Sequence, residues 1–297
     1  MKPAVSVMMV CYNSQPTLPW AFGSLLSQTL SDWECIFVDD SSTDCSFDVA
    51  VSLGDSRIRA FELEANRGRG AARQFALEQA KGDYLCFLDA DDWMYPGRLQ
   101  AELDFLEAEP KAAVVSAGMA ILDTGGDLVG TRGSAVGDEP KVFPMVTRLR
   151  MPPFSFPASM IRMRIAKLCK FDPQLPTVED MDFLMQIILN HGYGILNRNV
   201  YVYTEHPTVT LDRIMTDYHS VGQIFRDYRA GFPLQSRINN LKVFAKSMVY
   251  RGAFAVNRSD WLVRRRSQSP TLKEAEEFQL ARKTVALRVE NIFGISK

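Results

Sequence analysis

Five short hydrophobic runs punctuate the first 120 residues, at 5–10, 35–38, 58–63, 84–88 and 113–119. The segments between them carry apolar residues at helical spacing, at 17–28, 48–53, 70–81 and 97–107. Short runs with little polar alternation are typical of strands buried on both faces, as in parallel sheets. Strands that alternate with helices through short connections predict βαβ units. We therefore expect an α/β fold with a mostly parallel sheet flanked by helices.

Polar clusters follow three of these predicted strands. Tyr12 and Asn13 follow the first, Asp39 and Asp40 the second, and the acidic stretch 89–92 the fourth. The carboxyl ends of parallel strands share one edge of the sheet, where ligands bind. Carboxylates gathered there repel one another, and a divalent cation relieves that repulsion. Mg²⁺ and Mn²⁺ prefer oxygen ligands and substrate phosphates, so the pattern indicates a metal–phosphate ligand.

One other interpretation of these residues stays open, and two others do not fit the sequence. Asp39 and Asp91 could cap the helices that follow them, as aspartate often does. A phosphate-binding loop is excluded because no GxxxxGK[ST] motif occurs, and Gly68-Arg69-Gly70 lacks the full GxGxxG spacing. A phosphatase with a nucleophilic aspartate would need an acidic pair after the first strand, where Cys11 and Tyr12 stand instead.

Three segments resemble the family-two glycosyltransferases. They are residues 5–44, residues 66–93 with the sequence LDADDW at their end, and residues 171–187 with the pair Glu179-Asp180. The resemblance covers about residues 4–210 and implies the GT-A fold. It also implies an inverting transfer of a sugar from a nucleotide donor, UDP above all, to a hydroxyl acceptor with Mg²⁺ or Mn²⁺.

The resemblance implies two regions along the chain. Residues 1–212 form the expected GT-A domain, with a Rossmann-like nucleotide-sugar-binding half at 1–120 and an acceptor half at 121–212. Residues 213–297 form a C-terminal helical region.

Donor-site roles follow from the resemblance. Asp39 matches the residue that accepts a hydrogen bond from uracil, and the backbone near 11–13 (Cys11, Tyr12, Asn13) is expected to flank the base. Arg73 matches a donor-site arginine, although Gln74 stands where the family often has asparagine. Asp89 is expected to face the ribose.

Metal and catalytic roles follow in the same way. Asp91 matches the metal-binding end of the DxD motif, with Asp89 and His206 as further candidates near the metal and diphosphate. Asp180 matches the general base and Glu179 its partner in the motif. The alternative for this pair is a favourable interaction with the positive end of a helix dipole.

The composition indicates which binding partners and which cellular compartment to expect. The net charge of −1 gives no general attraction to nucleic acid. The five cysteines form no CxxC pair, which favours buried free thiols in a reducing cytosol. We expect a cytoplasmic protein, since no signal peptide and no apolar stretch of about 20 residues is found.

The last third of the sequence predicts helices with interleaved basic residues. Apolar positions recur at helical spacing around Leu241, Phe244 and Met248, and a capped helix is expected to begin near Thr271. We interpret these helices as a subdomain that packs on the catalytic domain or forms a homodimer. The alternative is a basic amphipathic surface at the inner face of the membrane, where lipid-linked sugar acceptors are found.

Two functions remain from the sequence. The first is a glycosyltransferase acting on a glycan or lipid-linked sugar acceptor, in polysaccharide or glycolipid assembly. The second is a non-catalytic nucleotide-sugar-binding or scaffold protein with the same fold.

Overall fold

The computed structural model describes residues 2–133, 139–205, 210–255 and 267–295. The strands are β1 Val5–Cys11, β2 Trp33–Asp39, β3 Ile58–Glu62, β4 Tyr84–Phe87, β5 Trp93–Met94, β6 Ala112–Leu122, β7 Leu128–Arg132, β8 Lys141–Phe143, β9 Ser159–Arg162 and β10 Gly192–Thr204. The helices are α1 Leu18–Leu25, α2 Ser46–Ser52, α3 Arg69–Gln79, α4 Arg98–Ala108, α5 Met163–Ala166, α6 Glu179–Ile188, α7 Leu211–Asp227, α8 Pro233–Ala255 and α9 Leu272–Phe293.

The strands form one sheet in the order β3-β2-β1-β4-β9-β6-β10-β5, with β7 added to β6 and β8 to β10. The first four strands are parallel to one another, and β10 is parallel to β6. β9 lies between these two parallel groups and is antiparallel to both β4 and β6. The α/β fold predicted from the sequence is confirmed, and the order 3-2-1-4 brings the ends of β1, β2 and β4 to one edge.

Alternating side chains of the central strands supply both faces of the sheet. Val7 and Met9 of β1 pack into the cluster that contains Phe22 of α1. Met8, between them, faces the opposite side with Ala72 of α3. Successive strand residues point to opposite faces, so a strand covered by helices on both sides must be apolar throughout. This is why the runs read as continuous hydrophobic stretches in the sequence.

The helix α9 returns to the sheet and packs against α1. A Cβ at Gly23 would lie 2.5 Å from a methyl carbon of Val289, so the close approach of the two helices needs glycine there. Phe278 is fully buried against Trp93. The predicted helix start is confirmed, because Thr271 and Glu274 form a reciprocal capping box.

The helix α8 packs on α7, as one of the interpretations of the C-terminal helices expected. Leu241, Phe244 and Met248, the apolar positions from which the sequence predicted this helix, are all exposed. The contact of α8 with α7 is made by other residues. Among the described residues, no helix has both the length and the apolar character that a membrane span requires.

The cysteines are free thiols. Cys11, Cys35, Cys86 and Cys169 are buried, and Cys45 is exposed. Burial raises the pKa of the Cys169 thiol to about 11, so it stays protonated at neutral pH.

Candidate active site

A cleft of about 720 Å³ opens at the carboxyl ends of β1 and β4. Cys11 and Tyr12 line it from the end of β1, and Asp89 and Asp91 from the end of β4. Asp180 of α6 lines the same cleft. Donor-motif and acceptor-motif residues therefore share one concave site, although Asn13, Asp39 and Glu179 are not among the residues that line it.

The two aspartates after β2 have different partners. Asp40 accepts hydrogen bonds from the backbone N–H groups of Arg67 and Gly68, each at 2.8 Å, and so fixes the loop before α3. The Asp39 carboxylate accepts a hydrogen bond from the Ser42 N–H at 2.7 Å through Oδ1. Its Oδ2 is buried and has no hydrogen-bond partner among the described residues. A buried carboxylate oxygen without a donor is costly, which suits a ligand N–H.

The end of β1 is tied to the neighbouring loop by Asn13. Its Oδ1 accepts from the Thr43 N–H at 2.8 Å, and its backbone φ is 53°. Asparagine tolerates this left-handed conformation better than most residues. Tyr12 is half exposed beside it, and burial together with Asp39 raises the pKa of the Cys11 thiol. Asn13 thus shapes the turn, while Cys11 and Tyr12 supply the cleft wall.

The helix-cap interpretation of Asp39 and Asp91 is wrong. The N-cap of α2 is Cys45, and the N-cap of α4 is Gly97. Neither aspartate occupies a capping position in the helix that follows it.

Arg73 of α3 links the two sides of the cleft. Its Nη2 donates to Asp89 Oδ1 at 3.0 Å, and its Nη1 donates to Glu179 Oε1 at 2.8 Å. Nη1 also lies 4.0 Å from Asp180 Oδ2. One guanidinium therefore contacts the aspartate at the end of β4 and both carboxylates at the start of α6.

Arg73 is buried with its charge intact. Its side chain is 4% exposed, and its guanidinium carbon lies 4.8 Å from the ring centre of Phe156. Burial alone would lower the pKa of Arg73, but the charges of Asp89, Asp180 and Glu179 raise it. The partners are thus what keeps a cation in the interior.

The turn before α6 directs Glu179 and Asp180 toward Arg73. Val178, the N-cap residue, has φ 59° and ψ 19°, a left-handed conformation that is rare for a β-branched side chain. Such strain costs on the order of 1–3 kcal/mol and is found at functional sites. Both carboxylates lie in the first helical turn, so the helix dipole also favours their charged forms.

Glu179 and Asp180 differ in access to the cleft. The Glu179 side chain is 1% exposed, whereas that of Asp180 is 27% exposed. Burial raises the pKa of Asp180, although Arg73 opposes the shift. A carboxylate with a raised pKa is a stronger base than an ordinary one, and this one is open to the cleft.

Tyr201 of β10 fixes the backbone of the loop that follows β4. Its hydroxyl accepts from the Asp89 N–H at 3.0 Å. Asp92 accepts from the Thr204 N–H at 3.1 Å, and burial followed by the charges of Asp91 and Asp89 raises its pKa well above the usual range. Asp91 remains exposed. The contacts of Asp89 and Asp92 therefore fix the loop, and Asp91 is exposed at the cleft.

The acidic loop fits a hard divalent cation that takes part of its coordination from a substrate. Asp91 offers carboxylate oxygens at the cleft, and Asp89 lies two residues away. The described residues contain no group of three or more His, Cys, Asp or Glu side chains arranged for a metal. Mg²⁺ is commonly bound through one or two carboxylates together with phosphate oxygens and water, which matches such a sparse set. His206 lies outside the described residues.

Gln74, the departure from the resembled motif, has a structural partner. Its Oε1 accepts from the Phe171 N–H at 3.1 Å and its Nε2 donates to Glu78 at 2.9 Å. This side chain joins α3 to the loop that leads to α6.

The structure adds cleft residues that the sequence analysis missed. Arg213, Asp217 and Tyr218 of α7 line the cleft, as do Arg132 and Glu205, which form an ion pair at 2.6 Å. The spacing of Arg213 and Asp217 predicts one shared helix face. Nothing in the local pattern indicates that this face borders the site.

Comparison with known proteins identifies the family. The profile of glycosyl transferase family 2 matches residues 6–169, more than half of the 297-residue chain. The chain therefore belongs to this family.

Curated relatives share part of the chain. The Escherichia coli protein WfaP, named UDP-Glc:alpha-D-GlcNAc-diphosphoundecaprenol beta-1,3-glucosyltransferase, is 38% identical over 105 residues, 35% of this chain and 42% of WfaP. The succinoglycan biosynthesis protein ExoO of Rhizobium meliloti (strain 1021) is 30% identical over 156 residues, 52% of this chain and 41% of ExoO. The chain thus spans less than half of the length of these curated relatives.

A solved structure matches over the whole chain. TarS 1-349 of S. aureus in complex with UDP has a TM-score of 0.63 and 21% sequence identity, covering 100% of this chain and 83% of that chain. This likeness shows that the chain has the GT-A fold.

The Arg73 contacts predict a coupled loss of stability. Arg73→Gln leaves Glu179 buried without its cation, and breaking a buried pair costs about 3–5 kcal/mol. Glu179→Gln removes the other partner, so the double variant should lose less than the sum of the single variants. Urea unfolding of all four proteins measures this coupling. Lys273→Gln, which breaks an exposed pair with Glu277, is the control and should cost less than about 1 kcal/mol. Additive losses for Arg73 and Glu179 would contradict the coupling.

Proposed function

We propose that this protein is an inverting glycosyltransferase that moves a sugar from a UDP-sugar to a hydroxyl group of a glycan or lipid-linked acceptor. The observation that carries the proposal is the Arg73 bridge, which connects Asp89 of the donor motif to Glu179 and Asp180 of the acceptor motif. Family membership supports sugar transfer as the class of reaction.

The nucleoside side of the donor is assigned to the ends of β1 and β2. Asp39 is proposed to accept the ring N–H of uracil with its Oδ2, which has no hydrogen-bond partner among the described residues. The carboxylate is 1% exposed, so contact with the base requires a local movement of side chains. The complexes of TarS with UDP and with UDP-GlcNAc support this choice of nucleotide.

The diphosphate is assigned to the loop after β4. Asp91, with Asp89 beside it, would hold Mg²⁺ or Mn²⁺. A cation bound there would act as a Lewis acid that neutralises charge on the leaving nucleoside diphosphate. Arg73 fixes the position of the Asp89 carboxylate by a hydrogen bond to its Oδ1.

Asp180 is proposed as the general base. It takes the proton from the acceptor hydroxyl while that oxygen forms a bond to the anomeric carbon. The bond from this carbon to the diphosphate oxygen breaks, and UDP leaves with the electron pair. Attack from the face opposite the leaving group inverts the configuration. Glu179, which is buried and bonded to Arg73, positions the pair rather than accepting the proton.

The acceptor class is proposed from the relatives. The name of WfaP specifies an undecaprenol-linked GlcNAc acceptor, and ExoO is named for succinoglycan biosynthesis. An acceptor in polysaccharide or glycolipid assembly would enter the cleft on the side of α6 and α7. Transfer is tested by measuring the UDP that the purified chain releases from a panel of UDP-sugars in the presence of candidate acceptors. Turnover in this assay would exclude the alternative of a non-catalytic scaffold protein.

Asp39 is expected to set the nucleobase preference. Asp39→Asn replaces one acceptor oxygen with a donor, so UDP affinity should fall about tenfold or more, as expected for a hydrogen bond to a charged group. The parent should prefer UDP to ADP, with GDP as the closer competitor because guanine also carries a ring N–H. Calorimetric titration measures all three. Asp48→Asn on the surface of α2 is the matched control, and equal losses in both variants would remove Asp39 from the site.

Asp91 is expected to make UDP binding depend on metal. In the parent, a chelator should weaken UDP binding, because the cation joins the carboxylate to the phosphates. Asp91→Ala should bind UDP as weakly as the chelated parent and should show no further effect of Mn²⁺. Asp83→Ala, an exposed aspartate at the other end of β4, should behave as the parent. Undiminished, Mn²⁺-dependent UDP affinity in Asp91→Ala would refute the assignment.

Asp180 is expected to separate chemistry from donor binding. Asp180→Asn cannot accept a proton, so kcat should fall by about 10²–10⁴-fold, the usual contribution of general base catalysis. The Kd of UDP should stay nearly constant, because the lost interaction is made in the transition state. Asp182→Asn is the matched control. Asp182 lies in the same helical turn, and its carboxylate accepts a hydrogen bond from Gln186 Nε2. This variant should therefore keep the kcat of the unmodified protein.

The pH profile gives the second readout for Asp180. The base acts only when deprotonated, and burial raises its pKa above the ordinary aspartate value near 4. Parental kcat should therefore fall as the pH drops through a range above that ordinary value. A parental level of turnover in Asp180→Asn would show that the base lies elsewhere.

A further inference from the structure

Helix α8 turns its hydrophobic side to solvent. Six large apolar side chains along it are exposed by 44–69%, namely Leu234, Ile238, Leu241, Phe244, Met248 and Val249. At 3.6 residues per turn these positions fall on one side of the helix. Single exposed apolar residues are ordinary, but a continuous stripe of this length marks an interaction surface.

The side of α8 that faces the protein is largely polar. Gln235 Oε1 accepts from the Leu149 N–H at 2.6 Å, and Asn239 Nδ2 donates to the Leu149 carbonyl at 2.7 Å. Ser236 is 2% exposed, and the ring of Tyr250 contacts that of Tyr218 of α7 in a tilted arrangement, with ring centres 5.7 Å apart. These polar contacts fix the rotation of the helix, so the apolar stripe cannot turn inward.

The charges on α8 are all positive. Arg237, Lys242, Lys246 and Arg251 are exposed, and the sequence has no Asp or Glu between 233 and 255. On the helix, Lys242 and Lys246 flank one edge of the apolar stripe, while Arg237 and Arg251 flank the other. The whole chain has a net charge of −1, so this face is a local concentration of positive charge.

We propose that the outward face of α8 docks on an anionic lipid bilayer. An apolar stripe bordered by lysine and arginine is the pattern of a helix that lies in the membrane interface. The stripe enters the boundary of the acyl chains, while the long basic side chains extend to the phosphate groups.

A second copy of the chain fits this face less well. A two-fold contact between outward faces would bring the four cations of each helix toward those of the other, because an isologous interface apposes the same patch. Like charges at an interface oppose association. A surface of anionic phosphates supplies the complementary charge that a second copy lacks.

Docking through α8 would also position the cleft. The helix packs on α7, whose Arg213, Asp217 and Tyr218 line the cleft. A bilayer under α8 would therefore lie close to the acceptor side. This consequence rests on the proposed function, because it matters only for a lipid-linked acceptor.

Vesicle co-sedimentation of the full chain tests the docking. The chain should bind vesicles of phosphatidylcholine mixed with phosphatidylglycerol, bind weakly to phosphatidylcholine alone, and lose binding as salt rises. Leu241→Gln with Met248→Gln should lower the partition coefficient at least tenfold. Lys242→Gln with Lys246→Gln should lower it about tenfold or more, since each basic residue near an anionic surface contributes roughly a factor of five.

The helix α9 supplies matched controls. Leu280 and Leu287 have the same spacing as Leu241 and Met248, and their exposures of 69% and 53% match the values of 69% and 52% on α8. Leu280→Gln with Leu287→Gln should leave vesicle binding unchanged. Lys283→Gln with Arg288→Gln removes the same charge from the chain and should also leave it nearly unchanged.

Three outcomes would overturn the docking surface. They are absence of vesicle binding, equal binding to both kinds of vesicle, and equal losses from the α8 and α9 variants. Sedimentation velocity without lipid adds a fourth, because a dimer that the α8 variants dissociate would make a second copy the occupant. UDP titration without vesicles should give the parental Kd in every variant, so failure of the docking is distinguishable from failure of the proposed function.

Discussion

The buried guanidinium of Arg73 is the interaction on which the site depends. An interior cation is stable only with carboxylates in hydrogen-bond contact, and Arg73 finds them on two separate parts of the chain. Because its planar group cannot shift without losing one partner, the end of β4 and the start of α6 hold a fixed relation. The distance between the proposed leaving-group side and the proposed base is therefore built into the core.

The backbone around the site contains strained turns, and two of the site's carboxylates have an unsatisfied oxygen. Asn13, Ser41 and Val178 have positive φ at the turns that follow β1 and β2 and precede α6. Asp39 and Glu179 each keep one buried carboxylate oxygen without a hydrogen-bond partner among the described residues. Strained turns and unsatisfied oxygens both reduce stability, and the apolar layers on the two faces of the sheet offset that cost. Such an arrangement is preorganised for charge that a substrate brings.

The α7–α8 pair connects this cleft to the surface of the molecule. One face of α7 borders the cleft with Arg213 and Asp217, and the helix also packs against the polar side of α8. The orientation of α8 is thus opposite to that of a typical surface helix: its apolar side faces solvent, whereas the apolar side of a typical surface helix faces the core. A chemical site and an apolar basic surface lie on two sides of one helix pair, which relates catalysis to the place where an acceptor would be met.

The sequence determined the alternation of strands and helices, because a buried strand must be apolar on both faces and a helix repeats every 3.6 residues. It also determined which edge carries Asp39, Asp89 and Asp91, since parallel strands end on the same side. Only the tertiary structure decided that Arg73 pairs with Glu179, 106 residues further along the chain, and that α7 borders the cleft. It alone decided the outward orientation of α8, because periodicity reveals an apolar face but not the neighbour that the face meets.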